Sequence, residues 1–274
     1  MSATRVVDLV RFEPDNDAHV AELKHQRIRR IQLCGWGVES VEIWREQVRR
    51  GVKGLFWIFP TEGKHAEGHF RPLPEREALN ADTDKLGPSS PDPSFRPMGH
   101  VSLVSSSKVF LFAPSCSYPA FGKDWEDYQH DDSLANRDEG VCTLASFYIL
   151  ASQQGLGLGT VVMKELEALA VKLGARAITL NTVDGEEAVK PEFWEKQGIR
   201  YSPKLRVNEV WYKRLGYVVY KRGVPRYPAK DVNGNDYLLE AVVSLSIFSR
   251  WFAVVSGEAK QLTLLFSVFL QVYA

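Results

Sequence analysis

The chain has no surplus of either charge and contains little cysteine. Its 274 residues include 34 Lys plus Arg and 34 Asp plus Glu, so the formal net charge is zero. A protein that binds nucleic acid uses basic residues to displace counterions from phosphates, and this composition offers no basic surplus. Three cysteines are too few and too scattered for a disulfide framework or a zinc site, and the six histidines show no metal-ligand spacing. We therefore predict no nucleic-acid partner and no metal.

The start of the chain lacks a long apolar run. The first 20 residues contain no apolar stretch of the length that a signal peptide needs. Together with the low cysteine content, this absence predicts a cytoplasmic protein, with the nucleus as the alternative. Hydrophobic residues make up 45% and charged residues 25% of the chain, values typical of soluble globular proteins. The length allows one large domain or two small ones.

Apolar patterns along the chain predict an α/β fold, a mixed sheet with helices on its faces. The predicted order is β-α-α-β-β-β-α-β-α-β-β. Strand patterns cover residues 4–12, 53–60, 99–104, 141–150, 177–183, 217–220 and 237–242; helical patterns cover two stretches between 17 and 51, then 158–173 and 207–215. Asp15 or Asp17 is predicted to cap the first helix, because a side-chain oxygen can accept bonds from its first N–H groups.

Two polar segments and an apolar tail differ from this pattern. Residues 61–98 hold six of the 14 prolines, and residues 115–139 carry seven acidic residues against two basic ones. We predict both as surface insertions in one domain that spans residues 1–242. Residues 243–274 contain only three charged residues. Three interpretations of this tail stay open: an extra packed strand or helix, a membrane anchor too short to span a bilayer, or an extension foreign to the native protein. We predict no membrane partner.

A glycine-rich turn follows the strand pattern at 141–150 and precedes the helical pattern at 158–173. The first N–H groups of a helix have no partner within it, the helix dipole favours negative charge there, and glycine lets a phosphate approach the backbone. The turn lacks the Lys of a Walker loop, and its glycines do not fit the G-x-G-x-x-G spacing of a dinucleotide-binding turn. The turn is therefore either a phosphate site of another kind or a purely structural link.

Two motifs give the chain a family resemblance. Gln154-Gly155-Leu156-Gly157-Leu158-Gly159 matches Q/R-x-x-G-x-G/A, and about 50 residues later Trp211-Tyr212-Lys213-Arg214-Leu215-Gly216-Tyr217 matches F/W-Y-x-K/R-x-G-F/Y. On these motifs and the order of elements, residues 4–242 resemble the GNAT superfamily of N-acetyltransferases. The resemblance implies an acyl-CoA N-acyltransferase fold, whose mixed, mostly antiparallel sheet is splayed at the cofactor site.

The resemblance also implies an activity. The enzyme would transfer an acetyl group from acetyl-CoA, its cosubstrate, to a primary amine of a small molecule, a protein Lys or a protein N-terminus, by direct attack of the amine. Two alternatives stay open: a non-catalytic CoA-binding or regulatory module on the same fold, and a phosphate- or nucleotide-binding protein. Oligomers are possible, but no pattern indicates a subunit number.

For the cofactor, the resemblance implies a site where the end of the strand at 141–150 splays from the start of the strand at 177–183. Backbone groups of Tyr148, Ile149 and Leu150 would pair with the pantetheine arm, and the N–H near Ile149 would polarise the thioester carbonyl. Asn181 would bond a pantetheine amide, unless it is an ordinary strand-end residue. The pyrophosphate would be held by the side chains of Gln154 and Thr160 and by the N–H groups of Gly155, Leu156, Gly157, Leu158, Gly159 and Thr160.

For catalysis, the resemblance implies that Tyr212 is the general acid that protonates the leaving thiolate; the alternative is a buried aromatic residue with a satisfied hydroxyl. Family members often carry an Asn seven positions earlier, where this chain has Leu205. The general base has no motif. Glu139 and His100, which lie beside or on the central strands, are candidates, and each has an ordinary polar role as its alternative. The acidic segment at 124–139 is favoured as a solvated loop over a region that attracts cationic amines.

Overall fold

Strands and helices follow one another along the chain in the order β-α-α-β-β-β-α-β-α-α-α-β-β. The computed structural model describes residues 6–34, 40–61, 70, 94–105, 134–196, 198, 200–202 and 207–248. Its strands are β1 (Val7–Arg11), β2 (Lys53–Pro60), β3 (Gly99–Val104), β4 (Val141–Ile149), β5 (Ala177–Val183), β6 (Val218–Lys230) and β7 (Asp236–Ile247). Its α-helices are α1 (Asp17–Cys34), α2 (Ser40–Arg49), α3 (Leu158–Lys172), α4 (Gly185–Ala188), α5 (Pro191–Lys196) and α6 (Asn208–Arg214). A 3-10 turn covers Ala151–Gln153.

The strands of the described ranges form one sheet in the order β1-β2-β3-β4-β5-β7-β6. Neighbouring strands are antiparallel except β4 and β5, which run parallel. A parallel pair needs a crossover between its strands, and α3 supplies it. The predicted mixed, mostly antiparallel sheet with helices on its faces is confirmed.

Each face of the sheet packs against different helices. On one face, which we call the α3 face, β3 and β4 pack against α3 through Val101, Leu103, Leu144, Leu158, Val162 and Leu166. On the other, the α1/α2 face, β2 packs against α1 and α2 through Leu55, Trp57, Leu23, Val41, Trp44 and Val48. Full burial of such a side chain stabilises the fold by about 1.5–3 kcal/mol. Two separate cores therefore hold the sheet.

The predicted strands and helices are present, with differences at their ends and in one connection. Asn16 caps α1 in place of the predicted aspartates, because its Oδ1 accepts from the N–H groups of Ala18 at 3.0 Å and His19 at 3.4 Å. The cap prediction was wrong because α1 begins at Asp17, which makes its neighbour the capping residue. The structure also adds α4 and α5, of four and six residues, which are too short to show a helical apolar period.

Strand β7 extends beyond the predicted end of the domain. It ends at Ile247, five residues past the predicted boundary at 242, and Val243 to Leu245 are buried. This segment pairs with β5 on one side and β6 on the other, so its apolar run is a central strand. Met98, at the predicted end of the first insertion, is also buried in the core. Most of both predicted insertions and residues 249–274 lie outside the described residues.

Candidate active site

The sheet opens between β4 and β5. Their backbone pairing runs from Val141–Ala177 to Leu144–Leu180 and ends there. Beyond this point β4 continues alongside β3, and β5 continues alongside β7. The opening therefore lies between the ends of both strands. The prediction that it involves the start of β5 was wrong, because parallel strands that are paired at their starts can separate only at their ends.

A β-bulge in β4 lies at the base of this opening. Ser102 of β3 faces Ala145, whereas His100 faces Tyr148, so β4 carries one extra residue between the two pairs. Ser146 has φ 53° and is the one non-glycine residue with positive φ in the described part of the chain. This backbone conformation costs about 1–2 kcal/mol for a residue with a Cβ. Because a bulge bends its strand, it accounts for the departure of β4 from β5.

The backbone of β4 alternates in direction beyond the bulge. The N–H of Leu150 donates to the Met98 carbonyl at 2.8 Å, on the β3 side. A Cβ built on Gly99 would lie 2.1 Å from the Tyr148 carbonyl oxygen, so that carbonyl also faces β3. In an antiparallel ladder the residues in between direct their backbone groups to the opposite edge, which here is the opening. Phe147 and Ile149 therefore line the opening, and the prediction that Tyr148 and Leu150 offer free backbone groups there was wrong.

The glycine turn supplies backbone donors at the mouth of the opening. Gly155 and Gly157 have φ 84° and 78°, in the left-handed region that favours glycine, and Gly157 is the N-cap of α3. The N–H groups of Leu156 to Gly159 have no acceptor among the described residues. Four such donors at the start of a helix, together with the helix dipole, favour the binding of an anion.

Two residues predicted for this anion site are engaged elsewhere. The Thr160 N–H donates to the Gly157 carbonyl at 3.0 Å. The Gln154 side chain donates from Nε2 to the Ile149 carbonyl at 2.8 Å. Gln154 thus ties the turn to the end of β4 with one of the two hydrogens of its amide group.

The two sequence motifs meet on the α3 face. A Cβ built on Gly159 would lie 3.1 Å from Cζ2 of Trp211 and 3.8 Å from Cδ1 of Ile149, so α6 packs directly on the turn and on the end of β4. The Trp211 ring also lies 6.1 Å from the Phe147 ring. The adjacent Tyr212 is 8% exposed and belongs to the same core cluster as Ile149.

A charged network holds α6 in this position. Glu209, 3% exposed, accepts from the Gly185 N–H at 2.7 Å and from Arg222 Nη2 at 2.7 Å, and its Oε1 lies 2.6 Å from Lys213 Nζ. Arg222 also donates to Asp184 at 3.0 Å. Burial raises the pKa of Glu209, but the bonds from Lys213, Arg222 and Gly185 outweigh it and lower the pKa to about 2. The network joins α6 to β6 and to the end of β5.

Asn181 is the first residue of β5 past its pairing with β4. It is half-buried, and its side-chain amide has no hydrogen-bond partner among the described residues. Its place beside the opening is consistent with a ligand amide as the missing partner.

The two predicted base candidates lie in different places. Glu139 is exposed in the turn before β4, where its N–H donates to Asn136 Oδ1. Glu139 lies before the start of β4, whereas Ile149 is the last residue of β4, so the two residues are at opposite ends of the strand. His100 is fully buried on the α1/α2 face, with Nδ1 2.8 Å from Gln26 Oε1 and its ring 5.6 Å from that of Tyr148.

Sequence patterns did not single out a pair of buried cations on the α1/α2 face. Lys53 is 4% exposed; its Nζ lies 4.3 Å from the centroid of the Trp44 ring and 3.4 Å from Ser146 Oγ. Arg27 is fully buried, with Cζ 4.7 Å from the same centroid. Burial, and secondly the charge of Arg27, lowers the pKa of Lys53 to about 7. The period-2 alternation of β2 was the available signal, because it places Lys53 on the face of Leu55 and Trp57.

A match to an acyltransferase family covers the strands that form the opening and the glycine turn between them. Residues 120–199 match the model of the acetyltransferase (GNAT) family, a segment that includes β4, the glycine turn, α3 and β5. Over this segment the chain is similar to the GNAT acetyltransferases, which agrees with the predicted family resemblance and enzyme class. Tyr212 lies outside the matched segment. No curated protein matches the chain.

Several solved structures are similar in fold. Spermidine N-acetyltransferase from Vibrio cholerae is 11% identical with a TM-score of 0.46, over 91% of this chain and 98% of that one. NAA60 from Arabidopsis thaliana in complex with acetyl-CoA is 11% identical with a TM-score of 0.45, over 88% and 98%. RimL, a ribosomal L7/L12 alpha-N-protein acetyltransferase in complex with coenzyme A, is 10% identical with a TM-score of 0.47, over 90% and 97%. At this distance no functional residue is carried over from them.

Two further observations apply to the described ranges. Each helix there is too short or too polar to span a lipid bilayer. His, Cys, Asp and Glu side chains form no group of three that could hold a metal ion in the same ranges.

Proposed function

We propose that the protein transfers an acetyl group from acetyl-CoA to a primary amine of a small molecule or a protein. The observation that carries this proposal is the coincidence of two features. The sheet opens between β4 and β5, and four N–H donors without an acceptor in the described part of the chain stand at the mouth of that opening. A linear ligand with a diphosphate at one end fits this combination of slot and anion site.

The residues around the opening suit the parts of acetyl-CoA. The N–H groups of Leu156 to Gly159 would bind the pyrophosphate, with the Thr160 hydroxyl as a further donor. Backbone groups of Phe147 and Ile149 would pair with the pantetheine arm as an added strand does, and Asn181 would bond one of its amides. Bound acetyl-CoA supplies a thioester, whose carbonyl carbon accepts the amine. An N–H of β4 that faces the opening, from Ile149 or from Phe147 closer to the bulge, would stabilise the negative charge on the carbonyl oxygen.

Tyr212 would donate the proton that the leaving thiolate needs. It is held in the cluster that contains Ile149, and α6 is fixed there by Trp211 and by Glu209. A phenol with an ordinary pKa near 10 is protonated at neutral pH and can act as this acid.

Thermal-shift titration tests binding first. Acetyl-CoA should raise the Tm, whereas ATP and NAD at the same concentration should not, because only acetyl-CoA fills both the anion site and the slot. Stabilisation by all three ligands would instead support a general phosphate-binding protein. An unchanged Tm at millimolar acetyl-CoA would contradict the proposal.

Thiol release with a panel of amines then separates an enzyme from a CoA-binding module. We expect turnover with at least one class of primary amine, and Tyr212→Phe should lower kcat by about 10- to 100-fold while the Kd for acetyl-CoA stays the same. Tyr220→Phe, a half-buried tyrosine of β6, is the matched control. An unchanged kcat in Tyr212→Phe would remove Tyr212 from the acid role.

A further inference from the structure

The proposed reaction needs a group that accepts a proton from the acceptor ammonium, because only a neutral amine attacks a carbonyl. Glu139 lies at the far end of β4, and His100 is engaged by Gln26. Lys53 is the remaining buried titratable group with a polar contact to the β4 bulge in the described ranges: its Nζ lies 3.4 Å from Ser146 Oγ. Lys53 is therefore the candidate for the general base.

The position of Ser146 places Lys53 at the base of the opening. The diphosphate site is at the mouth, after Leu150, and the last paired residues are Leu144 and Leu180. A linear ligand held by its diphosphate at the mouth therefore directs its reactive end toward the bulge. The Lys53 side chain leaves β2 opposite Val104, two residue pairs before the bulge, and extends along the sheet to Ser146.

The two faces of the sheet supply different partners at this point. Lys53 lies on the α1/α2 face, beside Trp44. Tyr212 lies on the α3 face, in the core cluster with Ile149. A base and an acid on opposite faces of β4 suit a transfer in which the amine approaches from one side and the thiolate leaves toward the other.

The surroundings of Lys53 favour its neutral form. From α1 the charged group facing it is Arg27; Glu22 and His25 are buried on the same helix. From α2 it meets the Trp44 ring and, in the same core, the neutral Gln47. Lys53 pairs with Val104 of β3 and contacts Ser146 of β4, and His100 is buried on the same face. No described carboxylate forms an ion pair with Lys53, and its pKa of about 7 makes the amine an effective proton acceptor at neutral pH.

This inference rests on the function proposed above. We propose that Lys53 is the general base that deprotonates the acceptor ammonium, directly or through one water molecule. The neutral Nζ takes one proton from the ammonium. The freed nitrogen lone pair forms the new N–C bond, and the C–S bond breaks with its electron pair on sulfur. The nitrogen loses its second proton to solvent, the thiolate takes a proton from Tyr212, and Lys53 and Tyr212 then return to their starting states by exchange with solvent.

The experiment compares side chains of different basicity at position 53. Wild type, Lys53→Met and Lys53→Arg are measured for acetyl-CoA Kd, Tm, kcat and pH profile, with Lys172→Met on the exposed end of α3 as the matched control. A fifth protein carries S-aminoethylcysteine at position 53, made by alkylating Lys53→Cys in denaturant and refolding; wild type taken through the same steps is its control. The sulfur in that side chain lowers the basicity of the amine.

We expect Lys53→Met and Lys53→Arg to lower kcat at pH 7 by about 10²- to 10⁴-fold while acetyl-CoA Kd stays within about twofold. S-aminoethylcysteine should restore turnover and move the rising limb of the pH profile to lower pH. Activity retained in Lys53→Met would overturn the proposal, and activity retained in Lys53→Arg would replace it with a role for fixed positive charge. If S-aminoethylcysteine restored the activity but left the rising limb of the pH profile where it is in wild type, the proposal would also be overturned. Wild-type protein that binds acetyl-CoA and turns over no amine would defeat the proposed function itself, and this inference with it.

Discussion

Helices α3 and α1 cover opposite faces of the same sheet, and they differ in what they bury. The α3 face has a mainly apolar core, and its polar groups are the backbone N–H groups of the glycine turn, Tyr212 and the charged network of Glu209 on α6. The α1/α2 face buries Arg27 and Lys53 on one tryptophan ring. The first face uses main-chain groups that any sequence with the right glycines supplies, whereas the second depends on particular side chains.

This difference suggests that the two faces of the sheet have different functions. Every acetyl-CoA molecule is the same, so a face that binds it can rely on backbone groups and short motifs. Acceptors differ between enzymes, and side chains are the means by which a protein distinguishes them. We expect substitutions on the α3 face to change acetyl-CoA binding and those on the α1/α2 face to change proton transfer.

The largest expected effect concerns Lys53 and the stability of the fold. Its pKa is about 7 when folded and 10.5 as a free side chain, so between these values the unfolded chain binds one more proton. The free energy of unfolding of wild type should therefore rise with pH across this window, by up to about 1.4 kcal/mol per unit, and this contribution disappears below pH 7. Lys53→Met should flatten the curve in urea titrations from pH 6 to 10. Parallel curves for wild type and Lys53→Met would show that no buried lysine titrates on this face, and Lys172→Met should keep the wild-type slope.

The Glu209 network provides the next effect, on the opposite face. Glu209→Gln should cost about 1.5–3 kcal/mol at pH 7, because Arg222 and Lys213 lose a charged acceptor. The folded pKa of about 2 lies below the ordinary 4.5, so the stabilisation is present above pH 4.5 and is lost as pH falls toward 2. Denaturation at pH 7 and pH 3 measures the free energy of unfolding, and so gives both the cost of Glu209→Gln at pH 7 and its decrease at low pH. Glu192→Gln, on the exposed surface of α5, should leave the free energy of unfolding unchanged at both pH values. An equal loss of stability in both variants would mean that the Glu209 network has no specific effect.

Substitution of two glycines distinguishes the effect of backbone strain on stability from an effect on ligand binding. Gly157 and Gly174 flank the two ends of α3 with φ 78° and 88°, and neither has an atom within 4 Å of a built Cβ. Replacement of either by Ala should cost about 1–2 kcal/mol of stability. Only Gly157→Ala should also weaken acetyl-CoA binding, by about 10-fold in calorimetric titration, because a relaxed turn moves the N–H donors. Equal affinities in the two variants would exclude the turn from the binding site.

The smallest effect is expected at Asn181. Its amide has no partner in the described part of the chain, so Asn181→Ala should leave the Tm unchanged. Loss of one hydrogen bond to the ligand, about 0.5–1.5 kcal/mol, should raise the Kd for acetyl-CoA by about 2- to 10-fold. Asn208→Ala at the exposed start of α6 is the control. A lower Tm with unchanged affinity would assign Asn181 to the fold and not to the ligand.

Sequence patterns predicted the strands of the sheet and the position of the glycine turn. Val141–Ile149 and Leu158–Lys172 were predictable because their periods and the intervening glycines are local properties of the chain. Which of Glu139 and Lys53 lies near the bulge was not predictable in the same way. Both are charged residues beside a strand, and only the direction of each strand within the sheet shows which one reaches the bulge.

The extent of β7 illustrates the same limit. Residues 243–247 show no alternation, and the sequence pattern therefore left them outside the domain. They are buried because β6 returns to cover the open side of β7, a contact between segments that no local pattern encodes. Likewise, the use of Gln154 to hold the Ile149 carbonyl depends on the turn folding back on β4.

The sequence by itself determined the family resemblance, the order of the strands and the glycine turn between β4 and α3, because these depend on short-range periodicity and on glycines that allow left-handed backbone. Tertiary structure alone decided where β4 leaves β5, which backbone groups face the opening, and that Lys53 and Arg27 share one buried ring. Those features arise from the register of β3 on β4 and from the packing of α1 and α2 on the sheet. Burial changes the basicity of a lysine only once distant segments have closed around it.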